Sequence, residues 1–140
     1  MTKIERAFLV IVLTLFQSIA VAQVKDSIEI VNENDGRLEQ KPEPVGGYES
    51  YLQWVYDHNR KRTSADELGQ YYRSIVRAVV DEEGHLTEIG VWRGIGMGYD
   101  EEAYRLIKKH PVQNWVPGKI DGKPVSVQIE IEVDHRKRRR

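Results

Sequence analysis

The stretch that decides the fold is "VSVQIEIEV", residues 125–133, in which aliphatic and polar side chains alternate without a break. The aliphatic positions are Val125, Val127, Ile129, Ile131 and Val133, and the polar positions are Ser126, Gln128, Glu130 and Glu132. Successive side chains of a strand point to opposite faces of the sheet. The pattern therefore predicts a long strand with one face on a core and the other in water.

A second alternating stretch, "YYRSIVRAVV" at residues 71–80, carries positive charge on its polar face. Arg73 and Arg77 lie on that face, whereas the last strand presents Glu130 and Glu132. Opposite charges that face each other across two strands stabilise the pair. The two strands are therefore predicted to lie side by side.

A hairpin is predicted directly after the first of these strands. The turn is "DEEGH", residues 81–85, with Gly84 in the left-handed conformation that such turns require. The return strand is "LTEIGVW", residues 86–92, with a bulge near Thr87 and Glu88. The first strand is then central, and both the return strand and the last strand are edges of the sheet.

Two helices complete the predicted domain. One begins near Tyr48 and ends near Asn59, because Tyr48, Tyr51, Leu52, Val55 and Tyr56 recur at helical spacing. The other begins at Asp100, where acidic residues suit the positive end of a helix, and its buried stripe is Ala103, Leu106, Ile107 and His110. The predicted fold class is α+β: a three-stranded antiparallel sheet with two helices packed on one face.

The sequence offers no pattern typical of a catalytic, metal or cofactor site. "GIGMG", residues 94–98, precedes a helix as a phosphate loop does, but Asp100 and its acidic neighbours stand where a phosphate would bind. No pair of the four histidines has metal-ligand spacing, and there is no cysteine. We therefore expect no catalytic residue, no metal and no cofactor.

The N-terminus has the pattern of a secretory signal peptide. Lys3 and Arg6 precede the apolar residues 7–16, and the small-residue sequence "AVA" at 20–22 matches a cleavage site. We predict a signal peptide over residues 1–22, cleavage after Ala22 and a periplasmic protein that starts at Gln23. The alternative is an uncleaved segment that anchors the chain in the inner membrane.

The remaining segments are divided by composition. Residues 23–44 are predicted to be a flexible leader, although "SIEIV" at 27–31 alternates as one short strand does. The domain is predicted over residues 45–134, and residues 135–140 form a basic tail. The chain has 21 Lys and Arg against 22 Asp and Glu. With the tail set aside the body is acidic, which argues against nucleic acid as a partner.

Three stretches resemble the TonB C-terminal domain family, and most closely its Bacteroidetes-type stand-alone form. They are "KPEPVGGYESYLQWV", "VVDEEGHLTEIGVWRGIGMGYDEEAYRLIKK" and "WVPGKIDGKPVSVQIEIEV", and they span roughly residues 40–133. The resemblance implies a non-enzymatic module that binds the TonB box, an extended peptide of TonB-dependent outer-membrane receptors, by β-augmentation. The implied partner-binding strand runs from Val125 to Val133.

The resemblance also assigns the turn that precedes this strand. Trp115, Pro117, Gly118, Gly122, Lys123 and Pro124 match the family's turn, and we interpret them as a structural corner that sets the register of the binding strand. The segment "RKRTSADELGQ", residues 60–70, departs from the family pattern, so no contact residue is assigned to it.

Two alternatives to a soluble periplasmic peptide-binding module stay open. The first is an anchored energy transducer driven by an ExbB/ExbD-like motor, but residues 7–22 lack the histidine that transducing members carry. The leader, if extended, also spans only about 70 Å. The second is a structural or assembly protein in which the edge strands of two copies pair as a homodimer.

Overall fold

The computed structural model of the chain describes residues 3–4, 28–64, 67, 69 and 71–137. Most of the predicted signal peptide and the end of the predicted basic tail, residues 138–140, lie outside the described residues. In chain order the elements are β1 (Ile30–Asn32), β2 (Glu43–Pro44), α1 (Tyr48–His58), β3 (Arg73–Val80), β4 (Leu86–Arg93), α2 (Tyr99–Lys108), β5 (Trp115–Val116), β6 (Gly118–Ile120) and β7 (Lys123–Asp134).

The main sheet is mixed and has five strands. β3 lies between β4 and β7 and pairs antiparallel with both, as predicted. On its other edge β7 pairs parallel with β1, and at its start it pairs antiparallel with β6. The α+β class is therefore confirmed, but the prediction of three purely antiparallel strands is wrong, because two short strands add to β7. β2 and β5 form a separate two-stranded ladder.

Both helices pack on the same face of the sheet. The core joins side chains of α1 (Tyr51, Val55) and α2 (Ala103, Leu106, Ile107) to those of β3 (Val76, Ala78, Val80) and β7 (Val127, Ile129, Ile131, Val133). The aliphatic side chains that β3 and β7 direct into this core are therefore those that the alternating sequence pattern predicted to share one face. Removing this apolar surface from water is the main stabilising term of such a layer.

The predicted hairpin is present, with Gly84 at φ 82°. A Cβ at Gly84 would collide with the carbonyl oxygen of Trp115, and the amide of Trp115 donates to the carbonyl of Gly84 at 2.7 Å. The predicted bulge is also present: the β3–β4 register shifts opposite Thr87, and Glu88 has φ 49°. The hairpin turn is therefore clamped against the chain that enters β7.

Residues 30–44 differ from the predicted flexible leader. They contain β1 and β2, and Val31 is buried in the core at 5% exposure. Between the two strands the chain bridges Gln40 to Lys119 of β6. A short strand is thus formed where "SIEIV" suggested one, over Ile30–Asn32, and the segment lies along β7 and β6 as part of the domain.

The predicted basic tail is also shorter than expected. His135 is fully buried, and the backbone of Thr63 pairs with this segment through Thr63 N to His135 O at 3.0 Å and Lys137 N to Thr63 O at 2.9 Å. Arg136 places its guanidinium on Asp134 at 2.7 Å. Residues 135–137 therefore belong to the folded domain.

Candidate functional site

The candidate site is the backbone edge of β7, the predicted partner-binding strand. On its inner side β7 pairs with the whole length of β3, from Arg73 to Val80. The N–H and C=O groups of alternate residues in a strand point to opposite edges. The carbonyl of Gln128 accepts the amide of Glu33 from the outer side at 3.0 Å. Even-numbered residues of β7 therefore face outward, and odd-numbered residues face β3.

The outer side of β7 is occupied at residues 126–128, where β1 pairs with it. β6 pairs with residues 123–125 through the odd-numbered residues Lys123 and Val125, and so continues the β3 side of the strand. The expectation that β7 is an edge strand along its whole length is therefore wrong. Of the predicted binding residues, Ser126, Val127 and Gln128 lie opposite β1 and Val125 lies opposite β6, whereas Ile129, Glu130, Ile131, Glu132 and Val133 lie beyond both short strands.

Past Gln128, side chains rather than a strand contact the outer edge. The amide of Glu130 donates to Oε1 of Glu33 at 2.9 Å, and the carbonyl of Asp134 accepts Nδ2 of Asn59 at 3.3 Å. Between them the N–H and C=O of Glu132 face outward, and no strand among the described residues pairs with them. Such open groups on a strand edge can pair with an added extended chain.

The acidic side chains of β7 are held toward β3 on the sheet face that the helices leave uncovered. Arg77 contacts Glu130 at 2.8 Å, and Arg73 contacts Glu132 at 3.1 Å. These are the two cross-strand ion pairs expected from the sequence. The guanidinium of Arg77 also lies 3.2 Å from the ring centre of Trp92. The glutamates therefore leave the outer backbone edge uncovered.

The predicted structural turn forms the corner that leads into β7. Trp115 is 3% exposed, and its ring centre lies 5.6 Å from that of Tyr48 and 5.3 Å from that of Tyr51, both edge to face. The other predicted turn residues follow as the approach, the arms and part of the loop of the β6–β7 hairpin: Pro117, Gly118, Gly122, Lys123 and Pro124. The corner is thus anchored in the core at its start.

Backbone geometry explains the residue types in this corner. The hairpin loop is Asp121–Gly122, with φ 51° and 71°, and two-residue loops of this kind favour an Asp-Gly pair. A Cβ at Gly118 would lie 2.6 Å from Cγ2 of Val127. The two-residue loop sets Ile120 opposite Lys123 in the β6–β7 pair.

The other free edge of the sheet, along β4, is less regular. The β3–β4 register shifts twice, between Ile75 and Val76 and between Arg77 and Val79. Bulges twist an edge strand and interrupt its ladder, which blunts it as a template for pairing. Among the described strands β7 therefore offers the more regular free edge.

A buried polar chain that no sequence pattern predicted closes the end of β7. Nε2 of His135 lies 3.0 Å from Oγ of Ser74, and Nδ1 lies 3.1 Å from Nδ2 of Asn59. Ser74 donates its one hydrogen to Asp100 at 2.9 Å, so Nε2 carries the ring hydrogen and Nδ1 accepts. Burial lowers the pKa of His135, which keeps the ring neutral, as this arrangement requires.

The contact between Ser74 and His135 is structural. Both residues are fully buried, and the nearby carboxylate of Asp100 accepts from the serine rather than from the histidine, unlike in a catalytic triad. The sequence did contain a signal for this position, because the alternation of inward side chains in β7 continues to residue 135. The basic run that follows led instead to the prediction of a tail.

The glycine segment after β4 wraps around a carboxylate of this chain. Asp100 accepts the amides of Ile95 and Gly96 at 2.8 and 2.9 Å. Burial acts to raise the pKa of Asp100, but these amides and the hydroxyl of Ser74 outweigh it and hold the pKa below its usual value. This is the geometry of a strand-to-helix turn, with a carboxylate where a phosphate loop would bind its ligand.

One cluster among the described residues has the composition of a metal site. Asp81, Glu83 and His85 place one ligand atom each within 4.8 Å of one another in the β3–β4 turn. Oδ1 of Asp81 already accepts the amides of Glu83 and His85, at 3.0 and 2.8 Å. These bonds account for the cluster as turn chemistry, and we assign no metal to it.

A groove of about 500 Å³ lies beside the end of β7 on the uncovered sheet face. It is lined by Tyr71, Tyr72, Arg73, Ile75, Arg93, Gly94, Ile95 and Glu132. Tyr71 is 69% exposed, and nearby Met97 is 75% exposed. Sequence patterns did not reveal this surface, because its walls come from the ends of three strands that only the tertiary fold brings together.

Comparison with protein families identifies the domain. The family model of the Gram-negative bacterial TonB protein C-terminal region matches residues 63–136, more than half of the chain. The chain belongs to the TonB C-terminal domain family. The comparisons with curated proteins and with solved structures each returned no match.

Membership of the TonB family defines the general role of the chain. The family is one of non-enzymatic transport proteins that act through protein–protein interaction, and its domains are typically periplasmic. The chain is thus a TonB-like transport protein. Among the described residues, no helix is both long enough and apolar enough to cross a membrane.

Proposed function

We propose that this domain is a periplasmic module that binds an extended peptide along the outer edge of β7. The segment from Ile129 to Val133 supplies the open part of that edge, and the peptide is the TonB box of an outer-membrane receptor. The observation that carries the proposal is the outward N–H and C=O of Glu132, which no described strand pairs.

The outer edge of β7 is preorganised for binding. Ile129, Ile131 and Val133 are at most 1% exposed, so the core holds the strand in position before binding. Adding a strand to a rigid edge orders few groups of the domain itself, which limits the entropy that binding must overcome. Main-chain pairing supplies affinity in this mode, and side-chain contacts supply specificity.

The adjacent groove offers such side-chain contacts. It reaches Glu132 from the uncovered sheet face and contains exposed Tyr71. A peptide paired with Glu132 alternates its side chains between the two faces of the sheet. Side chains on the uncovered face therefore come next to this aromatic surface.

The backbone donor of Glu132 can be removed with little damage to the sheet. Proline lacks the N–H and is tolerated on a strand edge, where no ladder bond is lost. We expect Glu132→Pro to keep the fold but to lose binding of synthetic peptides that cover the N-terminal segments of outer-membrane receptors from the same genome. Fluorescence anisotropy of the labelled peptides measures the affinity, and circular dichroism checks the fold.

The matched control is Glu132→Val, which keeps the amide and removes only the carboxylate and its contact with Arg73. We expect Glu132→Val to retain most of the affinity for the receptor peptides. A folded Glu132→Pro variant that binds as tightly as the wild type places the binding site elsewhere. Ile129→Pro is a poor substitute, because the amide of Ile129 faces β3 and its loss breaks the sheet.

Export remains part of the proposal. The predicted signal peptide, residues 1–22, is consistent with a soluble periplasmic protein that starts at Gln23, and an uncleaved N-terminus supports the anchored transducer with its ExbB/ExbD-like motor. The intact mass of the native protein in periplasmic and membrane fractions distinguishes the two. A native mass that rises with protein concentration favours the strand-paired homodimer instead.

A further inference from the structure

β1 occupies the edge on which the proposed function depends. Its three residues pair parallel with β7, Ile30 opposite Ser126, Val31 opposite Val127 and Asn32 opposite Gln128. The strand comes from a segment that precedes the first helix and is covalently part of the same chain. An extended peptide cannot pair with residues 126–128 while β1 is present.

One buried side chain anchors β1. Val31 is 5% exposed, whereas its neighbour Ile30 is 44% exposed and Asn32 is also exposed. Along the edge of β7 the strand therefore has one buried residue between two exposed residues. Burial of this single side chain and a short ladder hold β1 in place.

β1 leaves the edge because its own chain turns. The amide of Asp35 donates to the carbonyl of Asn32 at 2.9 Å, and the amide of Asn34 donates to Oδ1 of Asn32 at 2.9 Å. The carboxylate of Glu33 then contacts the amide of Glu130 in place of a further strand residue. The outward groups of β7 continue past this point to Glu132.

We propose that β1 is a resident competitor that the peptide partner displaces by strand exchange. The partner is an extended segment that pairs parallel with β7 from residue 126 toward residue 134 and places an aliphatic side chain where Val31 now lies. A chain that does not turn after the position of Asn32 makes a longer ladder than β1 does. This inference rests on the proposed function and adds its regulation.

A reversible lock tests whether β1 must leave. Asn32 and Gln128 are Cα partners in the parallel pair, a spacing that a disulfide spans, and the chain has no other cysteine. In the Asn32→Cys/Gln128→Cys double variant, oxidation fixes β1 on β7. The apparent affinity of a site scales with the fraction of molecules that are competent to bind. We expect the oxidised form to bind receptor N-terminal peptides at least about tenfold more weakly than the same protein reduced.

A second variant tests whether weakening the hold of β1 on β7 makes peptide binding tighter. Val31→Ser weakens the anchor of β1, so the fold loses stability while peptide binding becomes tighter. Ile30→Ser, at the exposed neighbouring position, is the matched control and should change neither strongly. A purely structural role for β1 predicts the opposite, namely equal or weaker binding by Val31→Ser.

A third probe separates this inference from the proposed function. A labelled synthetic peptide of residues 28–33 of this chain, "IEIVNE", should bind Val31→Ser in trans and should not bind the oxidised double variant. If this peptide binds as expected but receptor peptides bind no form, strand exchange stands and the receptor function is wrong. If receptor peptides bind the oxidised and reduced forms equally, the receptor function stands and strand exchange is wrong. If the peptide of residues 28–33 fails to bind a folded Val31→Ser variant, strand exchange is also wrong.

Discussion

Lowering the pH from about 7.5 to about 5.5 is expected to destabilise the domain, because two histidines are buried as neutral rings. His110 is 3% exposed and His135 is fully buried, and burial lowers the pKa of both below the ordinary 6.5. Nδ1 of His110 accepts the amide of Val112 at 3.0 Å, and Nδ1 of His135 accepts from Asn59. Protonation of either ring places two donors face to face.

Proton linkage gives the direction and the size of this pH-dependent change in the free energy of unfolding. Below pH 6.5 the unfolded chain binds protons that the folded chain does not, so the free energy of unfolding falls as the pH falls. One pH unit below that value the loss is at most about 1.4 kcal/mol per histidine, or about 3 kcal/mol for both. Four carboxyl groups with lowered pKa, those of Asp35, Asp100, Glu102 and Asp134, start from 3.8 to 4.5 and act at lower pH.

One carboxyl group acts in the opposite direction. Burial, together with the charge of Glu130, raises the pKa of Glu33 above 4.5, so its ionisation costs stability as the pH rises. We therefore expect a net loss of about 1–3 kcal/mol between the two pH values. Urea unfolding followed by tryptophan fluorescence measures it, and His135→Asn and His110→Gln should each reduce the difference. An unfolding free energy that is equal or larger at the lower pH refutes the placement of these rings.

Three substitutions test the corner and the sheet face. Trp115→Ala removes a core ring and should cost about 3–5 kcal/mol in urea unfolding; a cost below about 1 kcal/mol is incompatible with a buried Trp115. Gly84→Ala combines φ 82° with a collision against the carbonyl of Trp115, so it should lower the free energy of unfolding by more than the penalty of about 1–2 kcal/mol usual for a left-handed residue, and the melting temperature should fall with it. An unchanged melting temperature would mean that the turn is not clamped. A double-mutant cycle on Arg77 and Glu130 should give a coupling of about 0.5–1 kcal/mol, typical of a partly exposed pair, and a coupling near zero argues against the observed contact.

Local patterns in the sequence were sufficient to predict the three antiparallel strands and both helices. The alternation in residues 125–133, the helical stripe that ends at His110 and the glycine of the hairpin turn each determine structure through near neighbours. The charges of Arg73 and Arg77 also predicted which strands lie side by side. Each of these features depends on periodicity or on pairing chemistry that the sequence shows directly.

The occupant of the β7 edge could not be predicted in the same way. β1 is three residues long and pairs with residues almost a hundred positions further along the chain, and nothing in "SIEIV" specifies that partner. Its buried anchor is a single side chain, Val31, which a short alternating stretch does not distinguish from a solvated one. The burial of His135 was not predicted either, because the basic residues after it suggested a solvated tail.

Amide hydrogen exchange of the full chain, measured by NMR with and without receptor N-terminal peptides, tests the central claim most directly. The outward amide of Glu132 should gain protection when peptide is added, and the amides of Ile131 and Val133, which face β3, should stay as they are. The amides of Val31 and Glu33, which face β7, should lose their native protection as the peptide replaces β1. Protection that appears along β4 instead, or peptide binding that leaves Glu132 unchanged, would contradict a binding site on the outer edge of β7.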